Sequence, residues 1–185
     1  LQPRYHLVQD HEMPEYDYCY CDTCRRLFRE QSGIDPLDLK DPASNAAWRD
    51  FRLNQLVKLV HAIVEEVHRK GKFISAAVFP TPSMSRIMVR QDWSKFRLDA
   101  YLPMLYHNYY GEPESWIGKC VKESLTELTP ETPIYAGIFR GAIQTSDIAS
   151  IYSMVKENGG RGLSFFTANS LTDDDLKVLK RISAS

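Results

Sequence analysis

Cys19, Cys21 and Cys24 stand within six residues, in the stretch CYCDTC, and Cys120 is isolated far downstream. A C-x-C-x2-C spacing just ahead of a helical pattern admits three chemistries: a metal clip, a redox pair, or reduced thiols packed beneath a loop. No thioredoxin-like pattern surrounds Cys21 and Cys24, which speaks against redox catalysis. Asp92 is followed by Trp93. An indole beside a carboxyl could shield it and raise its pKa, as a general acid requires. The same residue also reads as an N-cap or turn Asp, the more ordinary role for an Asp at such a position. Tyr106, His107, Asn108, Tyr109 and Tyr110 form an aromatic and amide run, and Arg140, Gln144, Thr167, Asn169 and Ser170 recur at similar junctions further on. Asp10, His11 and Glu12 add polar groups in the leading stretch. Planar rings and side-chain amides suit hydroxyl-rich ligands such as sugars. The glycines of ENGGRG lack the Lys-Ser/Thr of a phosphate-cradling loop. Ser75 has small neighbours but lies inside a strand pattern, so there is no nucleophile elbow.

The elements that must position these groups are legible from period and punctuation. Residues 1–20 carry no sustained period. Asp22 reads as an N-cap for a short helix over TCRRLFREQS, with Gly33 as its stop. Asn45 caps a long helix reaching about Lys70, on which Trp48, Phe51, Leu56, Leu59, Val60, Ile63 and Val67 recur at three- and four-residue steps. A rhythm of short apolar runs then begins: KFISAAVF, LDAYLPMLY, PIYAGIF and GLSFFTA. The last three are followed by amphipathic helical stretches. Apolar strands alternating with helices predict a parallel sheet.

This pattern predicts an α/β fold of four parallel β/α units, organised as a leading segment, 1–44, with the Cys cluster and a short helix, then a (β/α)4 body over 45–185. Together they read as one structural domain. The long helix has no strand before it, which favours the second half of a TIM-type (β/α)8 barrel over a complete open sheet. Leu1 then reads as the start of a piece of a larger barrel. Pro103 is awkward for a central strand and predicts a bulge or a missing partner. In parallel sheets, ligands bind beyond the carboxyl ends of the strands, and the Tyr106–Tyr110 run, Arg140 and Asn169 fall there. Asp99 falls at the amino end of its strand and is expected to be structural. A half-barrel exposes two sheet edges, so the isolated chain is expected to form a homodimer.

The totals exclude some partners. Twenty-three basic against twenty-four acidic residues leave a net charge of −1. Well-mixed charge of this kind gives no footprint for nucleic acid and no polybasic membrane anchor. No apolar run is long enough for membrane insertion.

The stretches CYCDTCRRLF, AAWRDFRLNQLVKLV, ISAAVFP, VRQDWSKF and DAYLPMLY, in this order, resemble the glycosyl-hydrolase-like (β/α)8 proteins of bacteria known as family 10 glycosylhydrolase-like proteins. Trp48-Arg49 with Phe51-Arg52, Gln91-Asp92-Trp93, and Pro103-Met104 with Tyr106 carry the likeness, over roughly residues 16–110. The resemblance implies a barrel that acts on or binds oligo- or polysaccharide, in an extracellular or periplasmic setting. Asp92 beside its Trp is the candidate catalytic residue, and Tyr106, His107, Tyr109, Arg140 and Asn169 at the strand ends are the candidate substrate-binding residues. The resemblance also places the family's catalytic Asp on a strand upstream of Leu1. A two-carboxylate glycosidase therefore needs a partner from outside this chain, and a non-catalytic carbohydrate-binding or structural domain is the alternative. The cysteines resemble the cluster of some microbial β-galactosidase barrels, which holds a structural zinc. Cys19, Cys21 and Cys24 would then be ligands, with His6, His11 or an upstream residue as the fourth. A Cys21–Cys24 disulfide or three reduced thiols remain open. Cys120 is expected to be buried.

Overall fold

A computed structural model of the chain describes residues 19–183. Asp10, His11, Glu12 and the proposed fourth ligands His6 and His11 lie outside the described residues. Among these residues the chain is mixed α/β, with six α-helices and short parallel strands. It gathers into two compact units, residues 19–66 with Pro82–Phe96, and Val67–Thr81 with residues 97–183. The chain leaves the first unit after Glu66 and returns to it at Pro82.

The first unit contains α1 (Asp22–Ser32), most of α2 (Ala46–Arg69) and α3 (Pro82–Met88). Cys21, not Asp22, is the N-cap of α1, and Gly33 ends it at φ 78°, a left-handed conformation that favours glycine. Asn45 caps α2 through its side-chain oxygen, which accepts from the Trp48 N–H at 2.9 Å. One face of each long helix then closes on a small aromatic core. Trp48 stacks on Phe51 at 5.4 Å, and Phe28 meets Trp48 edge-on at 4.9 Å. The Arg52 guanidinium covers the Trp48 ring at 5.1 Å. Buried Arg90 closes the far end by donating to the Ala43 carbonyl at 3.0 Å. α3 was not legible as a helix: Pro82 opens it and only seven residues follow the turn.

The second unit holds β1 (Ser75–Val78), β2 (Ala100–Pro103), β3 (Tyr135–Phe139) and β4 (Gly162–Phe166), with α4 (Ser115–Thr126), α5 (Asp147–Glu157) and α6 (Asp173–Ser183). β1 pairs with β2 and β3 with β4, both in parallel. Parallel bridges Tyr101–Ile134 and Met104–Gly137 join the two pairs. The spatial order is therefore β1-β2-β3-β4, each strand lying beside its neighbour in sequence.

Successive side chains point to opposite faces, and the two faces differ. Val78, Tyr101, Pro103, Ile134, Ala136 and Ile138 share one face and are buried. The buried residues Ile117 and Val121 of α4, with Ile148, Ile151 and Val155 of α5, supply the matching apolar layer. The other face carries the row Ala77, Leu102, Tyr135 and Gly162. There Ser75, Ala77 and Tyr135 are exposed and Leu102 is half-buried. Asp99 anchors the amino end, accepting from the Ile74 N–H at 2.8 Å and contacting His68 at 2.9 Å, the structural role expected of it.

The seam between β2 and β3 explains Pro103. The Tyr101 N–H donates to Pro133 on the β3 side, and the Met104 N–H donates to Val78 on the β1 side. The nitrogen of residue 103 thus faces β3, where proline has no hydrogen to give. The ladder there thins to bridges, yet the backbones stay close: a Cβ on Gly137 would sit 2.6 Å from the Pro103 carbonyl oxygen. Gly137→Ala must push the strands apart and is expected to cost about 1–3 kcal/mol. Urea unfolding followed by circular dichroism measures this as a lowered midpoint.

Candidate functional site

The carboxyl ends of β2, β3 and β4 bring four aromatic rings together. After β2, Leu105 is buried and Tyr106 turns into a 3-10 turn, His107–Tyr110, stopped by Gly111. β3 ends at Phe139 and runs into the turn Arg140–Ala142. β4 ends at Phe166, and Thr167 caps the turn Ala168–Ser170 through a reciprocal pair with Ser170. The Phe166–Thr167 peptide bond is cis. Phe139 and Phe166 are register partners and belong to the sheet face that α4 and α5 do not cover. Tyr106 stacks on Phe166 at 5.8 Å and 28° and tilts toward Phe139 at 6.1 Å. Tyr109 meets Phe139 edge-on at 5.3 Å. Tyr109 and Phe166 remain 64% and 53% exposed, so the cluster offers ring surface to solvent. Burial pushes the Tyr106 phenol up, with Tyr109 adding to it. His107 lies half-buried beside this cluster in sequence, and Asn169 is exposed after β4. The Asn169 side-chain oxygen accepts from the Thr167 hydroxyl.

Arg140 reaches the same rim but is committed to the fold. Its Nε and Nη2 form a bidentate pair with Asp175 at 2.8 and 2.9 Å, Nη1 donates to Ile143 O at 2.6 Å, and Nη2 also reaches Thr145 at 3.2 Å. Asp175 is fully buried. It further accepts from the Thr145 hydroxyl at 2.7 Å and the Thr172 N–H at 2.8 Å. The Arg140 hydrogen bonds, then those from Thr172 and Thr145, hold its carboxyl far below the usual range. Asp175, in the first turn of α6, is the hub that locks the β3 turn to the start of that helix. Arg140 accordingly braces the rim, with its donors engaged by Asp175, Thr145 and the Ile143 carbonyl.

Asp92 belongs to the first unit. It is buried and its carboxylate meets Lys95 Nζ at 2.6 Å, Arg86 Nη1 at 3.1 Å and the Ser94 hydroxyl at 3.0 Å. Burial opposes its ionisation, but the hydrogen bonds from Lys95, Arg86 and Ser94 outweigh it and hold the carboxyl below its ordinary value. The expected rise toward a general acid is reversed. The turn role is the one observed: Asp92 is the N-cap residue of the turn Trp93–Lys95, and two cations reach its carboxylate. Asp92 ties the turn Trp93–Lys95 to α3.

Cys19 and Cys21 are exposed, Cys24 is half-buried, Cys120 is buried as expected, and all four are free thiols. Burial and then the neighbouring Cys21 thiol push Cys24 up to about 12, while the Cys24 N–H and thiol pull Cys21 down. The three sulfurs therefore crowd one helix start. Among the described residues no group of three or more His, Cys, Asp or Glu is arranged to hold a metal, so these residues alone do not complete a zinc site. Among the described residues no helix is long and apolar enough to cross a membrane.

Comparison with family models, with curated proteins and with solved structures finds no match to this chain.

Two measurements follow from these contacts. A carboxyl depressed in the folded state stabilises fully above its unfolded pKa, near 4, and that contribution drains away as pH falls below it. Asp175→Asn is expected to lose about 3 kcal/mol at neutral pH, with the gap to wild type narrowing in acid; urea midpoints at neutral and acidic pH test this. Thiol titration of native protein should modify Cys19 and Cys21 quickly and Cys24 slowly. Cys120 should react only after denaturation.

Proposed function

We propose that the chain is a glycoside-hydrolase-like domain, one half of a (β/α)8 barrel, that binds oligo- or polysaccharide at the carboxyl ends of its strands. The observation that carries this reading is the cluster of Tyr106, Tyr109, Phe139 and Phe166, with two rings presented to solvent at three adjacent strand ends. Ring faces match the apolar C–H faces of pyranose sugars, and His107 and Asn169 lie at the same ends to serve the hydroxyls. The resemblance of the Trp48–Arg52, Gln91–Trp93 and Pro103–Tyr106 stretches to barrel glycosylhydrolases supports the same ligand class, and with it an extracellular or periplasmic setting.

The reading is one of binding rather than of complete catalysis. Asp92 is ion-paired on both oxygens, and Asp175 is consumed by Arg140. Neither offers the protonated carboxyl that glycosidic cleavage uses. A structural zinc on Cys19, Cys21 and Cys24 belongs to the same reading and would take its fourth ligand from outside the described residues.

Calorimetric titration with neutral cello-, xylo- and manno-oligosaccharides is expected to show binding for at least one. Tyr109→Ala and Phe166→Ala should each weaken it about fivefold or more, on the scale of ~1 kcal/mol per aromatic contact. Both residues are exposed, so unfolding midpoints should barely move. Absence of binding to every sugar, or binding indifferent to both substitutions, rejects the rim.

A further inference from the structure

Parallel sheets bury both faces, yet among the described residues one face of this sheet keeps exposed positions. Ser75 and Ala77 of β1 and Tyr135 of β3 are exposed on the open face, with Leu102 half-buried between them. Phe73, two residues ahead of β1, is 89% exposed, and Tyr135 is 38% exposed. The rows of this face, Ser75–Ala100, Ala77–Leu102–Tyr135–Gly162 and Gly137–Ser164, contain no charged side chain. The sheet also ends in two outer strands, β1 and β4, neither of which has a second neighbour among the described residues.

We infer that a second copy of this chain covers the open face, the two four-stranded sheets closing into one eight-stranded parallel ring. It rests on the half-barrel part of the proposed function and not on the carbohydrate part. A two-fold axis running along the strands preserves their direction. It therefore sets β4 of one copy beside β1 of its partner in parallel, and does so twice, leaving no edge. Any other arrangement of two copies leaves an edge open or pairs strands antiparallel. Eight strands is the count at which a parallel barrel fills its interior with side chains alone. An uncharged face can meet its own copy without like-charge repulsion. Phe73 and Tyr135 offer on the order of 250 Å² of ring surface per copy, leaving the rim ring of Phe166 out of the contact. With the remaining rows and both edges, that reaches the size of a specific interface.

Sedimentation velocity of the whole chain at micromolar concentrations is expected to show a species of twice the 21.3 kDa chain mass. Ala77→Glu and Tyr135→Glu place charge on exposed positions of the open face and should convert it to monomer with unchanged circular dichroism. Hydrogen exchange on the unmutated protein gives a second readout: amides of both β1 and β4 should be protected at high concentration and lose protection on dilution. A monomer at all concentrations overturns the inference and leaves the face to another segment or partner. So does a dimer indifferent to both glutamates, or protection confined to one edge strand. Sugar titration is read separately, so failure of this closure and failure of the rim are distinguishable.

Discussion

The close approach of β2 and β3 at Gly137 sets the geometry of everything downstream in the second unit. Pro103 removes a ladder hydrogen bond exactly where the strands must stay in register, and a side chain at 137 would force them apart by its first atom. With glycine there, Met104 and Gly137 remain bridged and the sheet continues from β1 to β4. The consequence is felt one turn later. Tyr106, Phe139 and Phe166 end three adjacent strands, and their rings meet only because those strands finish side by side. A seam that slipped by one residue would send every ring to the opposite face.

Charge is used here for bracing and aromatic surface for presentation. Each buried carboxylate near a strand end or turn is neutralised by a close cation: Asp175 by Arg140, Asp92 by Arg86 and Lys95. Removing water from a carboxylate is costly unless donors replace it, and both residues have three or more. Such groups are poor candidates for proton transfer, because their partners stabilise the ionised form through the whole neutral range. What remains accessible at the rim is ring surface, with the phenol of Tyr109 and the amide of Asn169 beside it.

The strands, the long helix and its Asn45 cap were legible in the sequence because each rests on a local signal: an apolar run, a three-to-four period, a side-chain oxygen ahead of a helix. Proline within β2 read as a defect because its compensation, Gly137, lies more than thirty residues away in another strand. The same distance hid the roles of Arg140 and Asp175. A cation at a strand end looks like a ligand contact until the acid that claims it is placed beside it. Phe139 and Phe166 were missed for the opposite reason, being apolar residues in apolar strands. The doublet Phe165-Phe166 held the clue, since adjacent strand residues face opposite ways and only one can enter the helix-covered core. Seven residues of α3 are too few for a period to declare itself.

Face asymmetry links the sheet to its rim. Ile134, Ala136 and Ile138 are fully buried on one face, the face matched by the buried apolar residues of α4 and α5. On the open side the row from Ala77 to Gly162 narrows toward small residues at β1 and β4 and carries its bulk at Leu102 and Tyr135. That is a profile suited to interdigitation, with bulk opposite space. The aromatic rings cap this same face at its carboxyl end. The open face and the rim are therefore continuous, since Phe139 and Phe166 are the last register pair of that same face.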